Sequence, residues 1–159
     1  MDIRVGYGYD VHAFKANHPF IIGGVKIEHH QGAFGHSDAD VLVHAICDAL
    51  LGSLNLRDIG FHFPDTDSAF KNIDSLILLK KVGHLVNEKG YTISNMDCTI
   101  CLETPKLNPH IPEMAEKIAK TLGIEDNRVS IKATTSEKLG FVGEEKGISA
   151  HCAVLVMKA

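Results

Sequence analysis

No run of apolar residues in this chain approaches the roughly 20 needed to cross a bilayer as a helix, so no membrane partner is expected. Nor is there a Lys/Arg-rich run, and the formal net charge is -4 with a pI near 6.2. A mildly acidic chain has no global field to draw in a nucleic acid backbone, so any phosphate it handles is small and held locally. The start, Met1-Asp2-Ile3-Arg4, lacks the basic-then-apolar pattern of a secretory signal. The expected location is the cytoplasm; a plastid-type organelle protein with its transit segment removed would read the same. No repeat, linker or low-complexity segment breaks the 159 residues, which are read as one domain, 1–159. That length removes about 70% of the unfolded surface from water.

Cysteines number only four, and just one pair has a suggestive spacing, Cys98-x-x-Cys101. The surrounding Tyr91 to Leu102 reads as a strand. Residues three apart on a strand face opposite sides, so the sulfurs diverge and buried, inert thiols are expected. Also missing is the calcium-loop pattern: Asp58 to Asp67 is rich in acids but lacks the EF-hand spacing and its glycine.

What is present begins at Gly8-Tyr9-Asp10-Val11-His12, within a predicted strand from Ile3 to Phe14. Residues two apart share one face, so a carboxylate oxygen and an imidazole nitrogen can grip one cation. His44 is the expected third ligand, on a helix predicted to open at Ser37 as N-cap, with Asp38 and Asp40 in its first turn. One carboxylate and two histidines leave a fourth position of tetrahedral zinc open, the layout of a catalytic site. Asp40, His44 and Asp48 recur at helical spacing, off the apolar stripe of Val41, Leu42, Ala45, Ile46 and Ala49. The spacing fits either a histidine oriented by acids one turn away or a solvated polar face.

A hairpin is expected over Pro19 to Ile27 with Gly23-Gly24 at its turn. His29, His30, Gln31 and Gly32 read as a surface loop. Asp58 to Asp67, with two phenylalanines, reads as a loop packed down or closing over a ligand. Helices are expected from Asp74, as the cap, to Glu88, stopped by Gly90, and from the Asn108-Pro109 cap pair to Leu122, stopped by Gly123. Val129 to Ala133 is a strand running into Thr134-Thr135-Ser136-Glu137. Hydroxyls at a strand end before a carboxylate suit phosphate oxygens and a hard cation such as Mg²⁺; a plain helical cap is the other reading. A closing strand spans Ile148 to Met157. The order gives an α+β two-layer sandwich, a mixed sheet with helices on one face. The open face, expected to present Ile100, Leu102, Val154 and Val156, would be buried by self-association.

Six motifs, in order along nearly the whole chain, resemble one family: Gly-Tyr-Asp-Val-His-Ala-Phe, Ile-Gly-Gly-Val, His-Ser-Asp-Ala-Asp-Val-Leu-Val-His-Ala, Asp-Ile-Gly-Phe-His-Phe-Pro-Asp-Thr-Asp, Pro-Lys-Leu-Asn-Pro-His-Ile and Lys-Ala-Thr-Thr-Ser-Glu-Lys-Leu-Gly-Phe. It is the 2-C-methyl-D-erythritol 2,4-cyclodiphosphate synthase family of non-mevalonate isoprenoid biosynthesis. The resemblance implies a homotrimer around packed sheets, with active sites between subunits. It implies zinc on Asp10, His12 and His44, and Mg²⁺ or Mn²⁺ on Glu137 with the diphosphate. The implied substrate is 4-diphosphocytidyl-2-C-methyl-D-erythritol 2-phosphate, whose 2-phosphate attacks the β-phosphorus and expels CMP. His36 and Thr135 match the catalytic positions. Ser37, Asp58, Ile59 and Gly60 match the methylerythritol site, and Phe63, Pro64, Asp65, Thr66 and Asp67 a loop over it. Leu102, Glu103, Thr104, Pro105, Lys106, Leu107 and Asn108 match the cytidine pocket, with Thr134, Ser136 and Phe141 among the substrate contacts. The resemblance-free alternative is a metal-dependent phosphohydrolase of nucleotide diphosphates. One departure stands out: where the family has Arg and then Glu after Phe141-Val142-Gly143, near a trimer-axis cavity that can hold an isoprenoid diphosphate, this chain has Glu144 and Lys146.

Overall fold

The first strand, β1 (Ile3–Ala16), buries Gly6 and Gly8 and exposes Val5, Tyr7 and Tyr9. It is the strand against which the main helix lies. The computed structural model describes residues 2–64 and 66–159. After β1 come a short hairpin, β2 (Phe20–Ile22) and β3 (Val25–Ile27), then β4 (Gln31–Phe34) and helix α1 (Val41–Ser53). Helix α2 (Ile59–His62) is a single turn, and α3 (Ser75–Glu88) leads into β5 (Tyr91–Cys101). Helix α4 (Ile111–Leu122) precedes β6 (Val129–Thr134), and the one-turn α5 (Gly140–Gly143) precedes β7 (Gly147–Lys158). The sheet order is β4-β1-β7-β5-β6. Only β5 and β6 pair in parallel, joined through α4; the other neighbours are antiparallel. The mixed α+β sheet is therefore as expected.

Helix α1 lies on β1 with nothing between the backbones. A Cβ built on Gly8 would stand 1.9 Å from the Ala45 carbonyl oxygen, and one on Gly6 1.9 Å from that of Ala49. Only glycine permits this approach. Helix α1 is buried almost all round: Leu42, Ile46, Leu50 and Leu51 have no exposure. Such a helix is held by packing on every side, not by one apolar stripe.

The helix starts later than its sequence suggests. Ala39 has φ of +57°, outside the helical region, so no helix runs through Ser37–Asp40. Asp40 is the cap, with Oδ1 accepting from the Val43 N–H at 3.1 Å. The same carboxylate accepts from Gly23 N–H at 2.9 Å and Gly24 N–H at 2.7 Å. It thus ties the hairpin turn, where Gly23 and Gly24 have φ of +58° and +72°, to the helix start. Asp40 has zero exposure. Burial pushes its pKa up to about 6, against the pull of these amide donors. Three donors aimed at one carboxylate suit its ionised form, which a pKa near 6 still permits at neutral pH.

Several other expectations change. Gln31–Phe34 forms an edge strand on β1, with Ala13 opposite Phe34, where a loop was expected. His29 is half-buried, its ring 5.9 Å from that of Phe20, so it is not a surface residue. Asn108 caps nothing: Asn108–His110 is a 3-10 turn leading into α4. Glu137 and Lys138 are both left-handed, φ +54° and +62°, which excludes a helix cap there. The Asp58 loop contains a helical turn, capped by Asp58 Oδ1 on the Phe61 N–H at 2.9 Å.

The largest correction concerns the open sheet face. Ile100, Leu102, Val154 and Val156 are all buried beneath the helices. The face without helices instead presents Ile3, Val5, Tyr7, Tyr9, Val11 and Met157; Val5 is 72% and Tyr7 63% exposed. The pleat alternation was right, but the assignment of faces was inverted. Cys98 is buried as expected, 3.3 Å from the sulfur of Cys152, while Cys101 is only half-buried.

Gly8→Ala should cost about 3 kcal/mol or more of stability, because neither backbone can yield without opening the β1–α1 contact; urea unfolding measures it. For Asp40 the sign of pH dependence is inverted. Its folded pKa lies above the ordinary carboxylate value, so its contribution is largest at low pH and declines as pH rises from about 4 to 6. Asp40→Asn should be destabilised at all pH, by a margin that narrows across that window in urea melts.

Candidate metal centre and phosphate corner

Gly6, Gly8, Asp10 and His12 share the face of β1 that α1 covers. Beyond Gly8 the helix backbone stays close, so His44 reaches the two side chains that follow the glycines. Asp10 Oδ2 lies 3.0 Å from His12 Nε2 and 3.0 Å from His44 Nδ1. The two nitrogens are 3.3 Å apart. Tetrahedral zinc, with bonds of about 2.0–2.1 Å, sets its donors about 3.3 Å apart. The donor set therefore fits such an ion in spacing and in chemistry. It is the single group of three or more potential metal ligands found among the described residues. Its side chains are 13–24% exposed, so one side stays open to a ligand.

Burial raises the pKa of Asp10, but hydrogen bonds from His12 and then His44 pull it down to about 2. Burial lowers that of His44, and the Asp10 bond reverses this to a net rise. The three groups are arranged around positive charge, whether proton or metal.

The partners of His44 on its far side are not the acids that the helical spacing suggested. His44 Nε2 is 3.0 Å from Ser37 Oγ and 2.9 Å from Ser75 Oγ. Asp40 is turned to the hairpin, and Asp48 Oδ1 accepts from the Ile59 N–H at 2.7 Å. The reading of a solvated polar face also fails, since His44 is mostly covered. Ser75 and its partner Asp38 were missed. Asp38 reads as a helix-terminus charge, nothing in the sequence singles out Ser75, and 37 positions separate them.

Beside the metal ligands is a cavity of about 200 Å³. His36, Ser37, Ile59, Gly60 and Phe63 line it, as the sequence suggested; Phe70, Ile73 and Leu78 complete it and were not foreseen. His36 Nε2 is buried with no hydrogen-bond partner among the described residues, which fits a group awaiting a ligand. Asp58 caps α2 at the cavity's margin. Phe63 packs on Phe70, whereas Phe61 stays 57% exposed under the Arg57 guanidinium. Pro64, Thr66 and Asp67 are exposed and do not line the cavity. Asp65 lies outside the described residues.

A second cavity, about 120 Å³, is lined by Leu102, Glu103, Pro105, Lys106, Leu107, Asn108, Thr134 and Thr135. The hydroxyl corner and the predicted nucleoside pocket are thus one place. Thr104 is not in its lining; its hydroxyl donates to Glu145 Oε2 at 3.2 Å. Glu103 Oε1 accepts from the Ser136 N–H at 2.9 Å and the Lys138 N–H at 3.3 Å, with Ser136 Oγ at 3.2 Å. The Ser136 bond above all lowers its pKa. Glu103 braces the left-handed loop that carries Thr135 and Glu137. Glu137 is exposed, with Thr135 Oγ1 at 3.4 Å, and brings one carboxylate to that corner. Phe141 is 43% exposed, and Glu144 pairs with Lys146.

The two cavities share one end of the sheet. Asp10, Ala150, Ile100 and Ala133 are successive register partners across β1, β7, β5 and β6. Three strand spacings put their first and last members roughly 14 Å apart. Within one chain, the metal group and the hydroxyl corner are therefore separate places.

An α+β sandwich with an Asp-His-His cation site and a hydroxyl-lined corner defines a candidate metal-dependent enzyme of phosphate esters. The chain belongs to the YgbB family, whose sequence model matches residues 3–157. It is 58% identical over 156 residues to the 2-C-methyl-D-erythritol 2,4-cyclodiphosphate synthase of Bacteroides fragilis, covering 98% of each chain. Among solved structures, the bifunctional IspDF of Campylobacter jejuni superposes with a TM-score of 0.96 at 41% identity. That alignment covers 99% of this chain and 43% of the longer one. The Plasmodium falciparum IspF complex with CDP aligns at TM-score 0.87 and 34% identity, covering 98% and 96%.

Glu103→Ala should release the Ser136 and Lys138 amides, raising their hydrogen-exchange rates about tenfold by NMR. Glu103→Gln, which keeps an acceptor oxygen, should give a smaller rise. In the native protein the brace should hold at neutral pH and fail as pH falls through the depressed Glu103 pKa.

Proposed function

We propose that this chain converts 4-diphosphocytidyl-2-C-methyl-D-erythritol 2-phosphate to 2-C-methyl-D-erythritol 2,4-cyclodiphosphate and CMP, as a single synthase domain of the non-mevalonate pathway in the cytoplasm. The observation that carries the proposal is the convergence of Asp10, His12 and His44 at 3.0–3.3 Å, in a chain of this family. A 2-phosphate oxygen bonds to the β-phosphorus, the bond from that phosphorus to the bridging oxygen breaks, and CMP leaves with that oxygen.

Zinc on Asp10, His12 and His44, and Mg²⁺ or Mn²⁺ on Glu137, would polarise and neutralise the diphosphate oxygens when bound. The chain's own groups do the rest. Both reacting phosphates belong to one molecule, so holding it folded supplies much of the effective concentration. The 200 Å³ cavity suits the methylerythritol part, with Ser37, Ile59 and Gly60 along its wall and the Asp58 carboxylate at its margin. The unpartnered Nε2 of His36 is the group for the attacking phosphate. The Thr135 hydroxyl serves the diphosphate, and the Leu102–Asn108 pocket with Lys106 takes the cytidine end.

Separation of the two cavities favours a site completed between chains. The uncovered apolar face of β1 favours the same conclusion. A homotrimer packed through these faces would bury Val5, Tyr7 and Tyr9 and bring one chain's metal group beside another's nucleoside pocket. Glu144 and Lys146 neutralise each other, which argues against anion binding at such an axis.

Phosphorus NMR on the protein with this substrate and Mg²⁺ should record CMP and a cyclic diphosphate; a linear phosphate would mean hydrolysis instead. His44→Ala should retain less than one-tenth of the bound zinc and lower CMP release by at least about 100-fold. Sedimentation should give the mass of three chains.

A further inference from the structure

Ser75 is the first residue of α3 and has zero exposure. Its two donors go to one carboxylate. The Ser75 N–H, which has no partner within its own helix, donates to Asp38 Oδ2 at 3.0 Å. The Ser75 hydroxyl donates to Asp38 Oδ1 at 2.5 Å. Asp38 Oδ1 also accepts from the Asp40 N–H at 3.2 Å. A carboxylate surrounded by donors at a helix N-terminus is an acceptor only.

A serine hydroxyl has one proton. Committed to Asp38, it leaves Ser75 Oγ with lone pairs alone for its other neighbour, His44 Nε2, at 2.9 Å. Two lone pairs facing one another at that distance repel. The contact is a hydrogen bond only if Nε2 carries the proton and donates it. Ser37 Oγ, 3.0 Å from the same nitrogen, accepts from the Ala39 N–H and can share that proton. With Nε2 holding its own proton, Nδ1, which faces Asp10 and His12, can give up the proton that Asp10 accepts and turn its lone pair to a cation.

We propose that Asp38 and Ser75 are positioning residues that fix His44 as its Nε2–H tautomer and so present Nδ1 to the metal. The inference rests on the metal-centre reading above. The relay acts at a distance from the reacting atoms: Asp38 touches no proposed ligand of the metal. Its effect should appear in metal affinity and ring tautomer, with turnover near normal once metal is saturating.

The test begins with the intact, unmutated protein. Nitrogen-15 NMR of its imidazoles, metal-free and zinc-loaded, reads the His44 tautomer. A proton on Nε2 is expected in both forms, with Nδ1 bare in the zinc-loaded protein; an Nε2 without its proton in either form overturns the proposal. Next come Ser75→Ala, which removes the acceptor, and Asp38→Asn. The latter can donate to Ser75 Oγ and free the serine proton to point at His44, reversing the bond. Chelator competition should show zinc held about 10- to 100-fold more weakly by both, and Co²⁺ substitution should show an altered absorption band. Ser75→Thr, which restores a hydroxyl, should regain part of the affinity. Wild-type affinity and an unchanged Co²⁺ spectrum in both folded variants would overturn the relay. If neither variant folds, the imidazole spectra of the native chain decide alone. Failure of the native protein to bind zinc would sink the metal centre, while the Nε2 proton of the metal-free protein would still report on the relay.

Discussion

The arrangement depends on one close contact, the backbone of α1 resting on the backbone of β1 at Gly6 and Gly8. No side chain fits between them, since a Cβ on either glycine would sit 1.9 Å from a helix carbonyl. The contact fixes the helix at a distance that any larger residue would increase. Asp10 and His12 lie further along the same face of the strand, and His44 one position before Ala45. The two glycines thus act on the metal group from outside it, by setting how far His44 must reach.

Around that contact, three buried or half-buried aspartates do three different jobs. Asp10 joins His12 and His44 in a group that could hold a cation, and the imidazoles beside it hold its pKa at about 2. Asp40 is pushed up to about 6 chiefly by burial; three amide donors keep it useful as a tie between hairpin and helix. Asp38 reaches across to Ser75 and, through it, to His44. The residue type is the same in each case. The environment decides whether the carboxylate binds a cation, caps a helix or orients a histidine.

The sheet has two unlike faces. Helices α1, α3 and α4 cover one, and the other leaves a row of apolar side chains on β1 in water. The metal group opens at one side of the sheet and the Thr134–Thr135 corner at the other, about 14 Å away by strand spacing. A substrate with a sugar-like end and a nucleotide end has two such places to occupy. The brace from Glu103 shows how the second is held in shape, by a carboxylate that stabilises two left-handed residues in succession.

Local pattern determined a good deal of this: the strand around Asp10, the Gly23-Gly24 hairpin, the Asp74 cap and Gly90 stop of α3, and Gly123 at the end of α4. These depend on neighbours in sequence, where periodicity and cap chemistry operate. Asp10 and His12 were legible because a strand repeats every two residues, and His44 because the family motifs recur in order. What only the tertiary structure decided has a common physical cause, the choice of partner across long stretches of chain. Ala39 is left-handed just before Asp40, whose carboxylate takes the Gly23 and Gly24 amides from 17 and 16 positions back. Ser75 meets Asp38 and His44 only because α3 begins beside α1. Alternation separates the two faces of the sheet but cannot choose between them, and the face expected to be bare is the covered one; the glycines that admit α1 settle that.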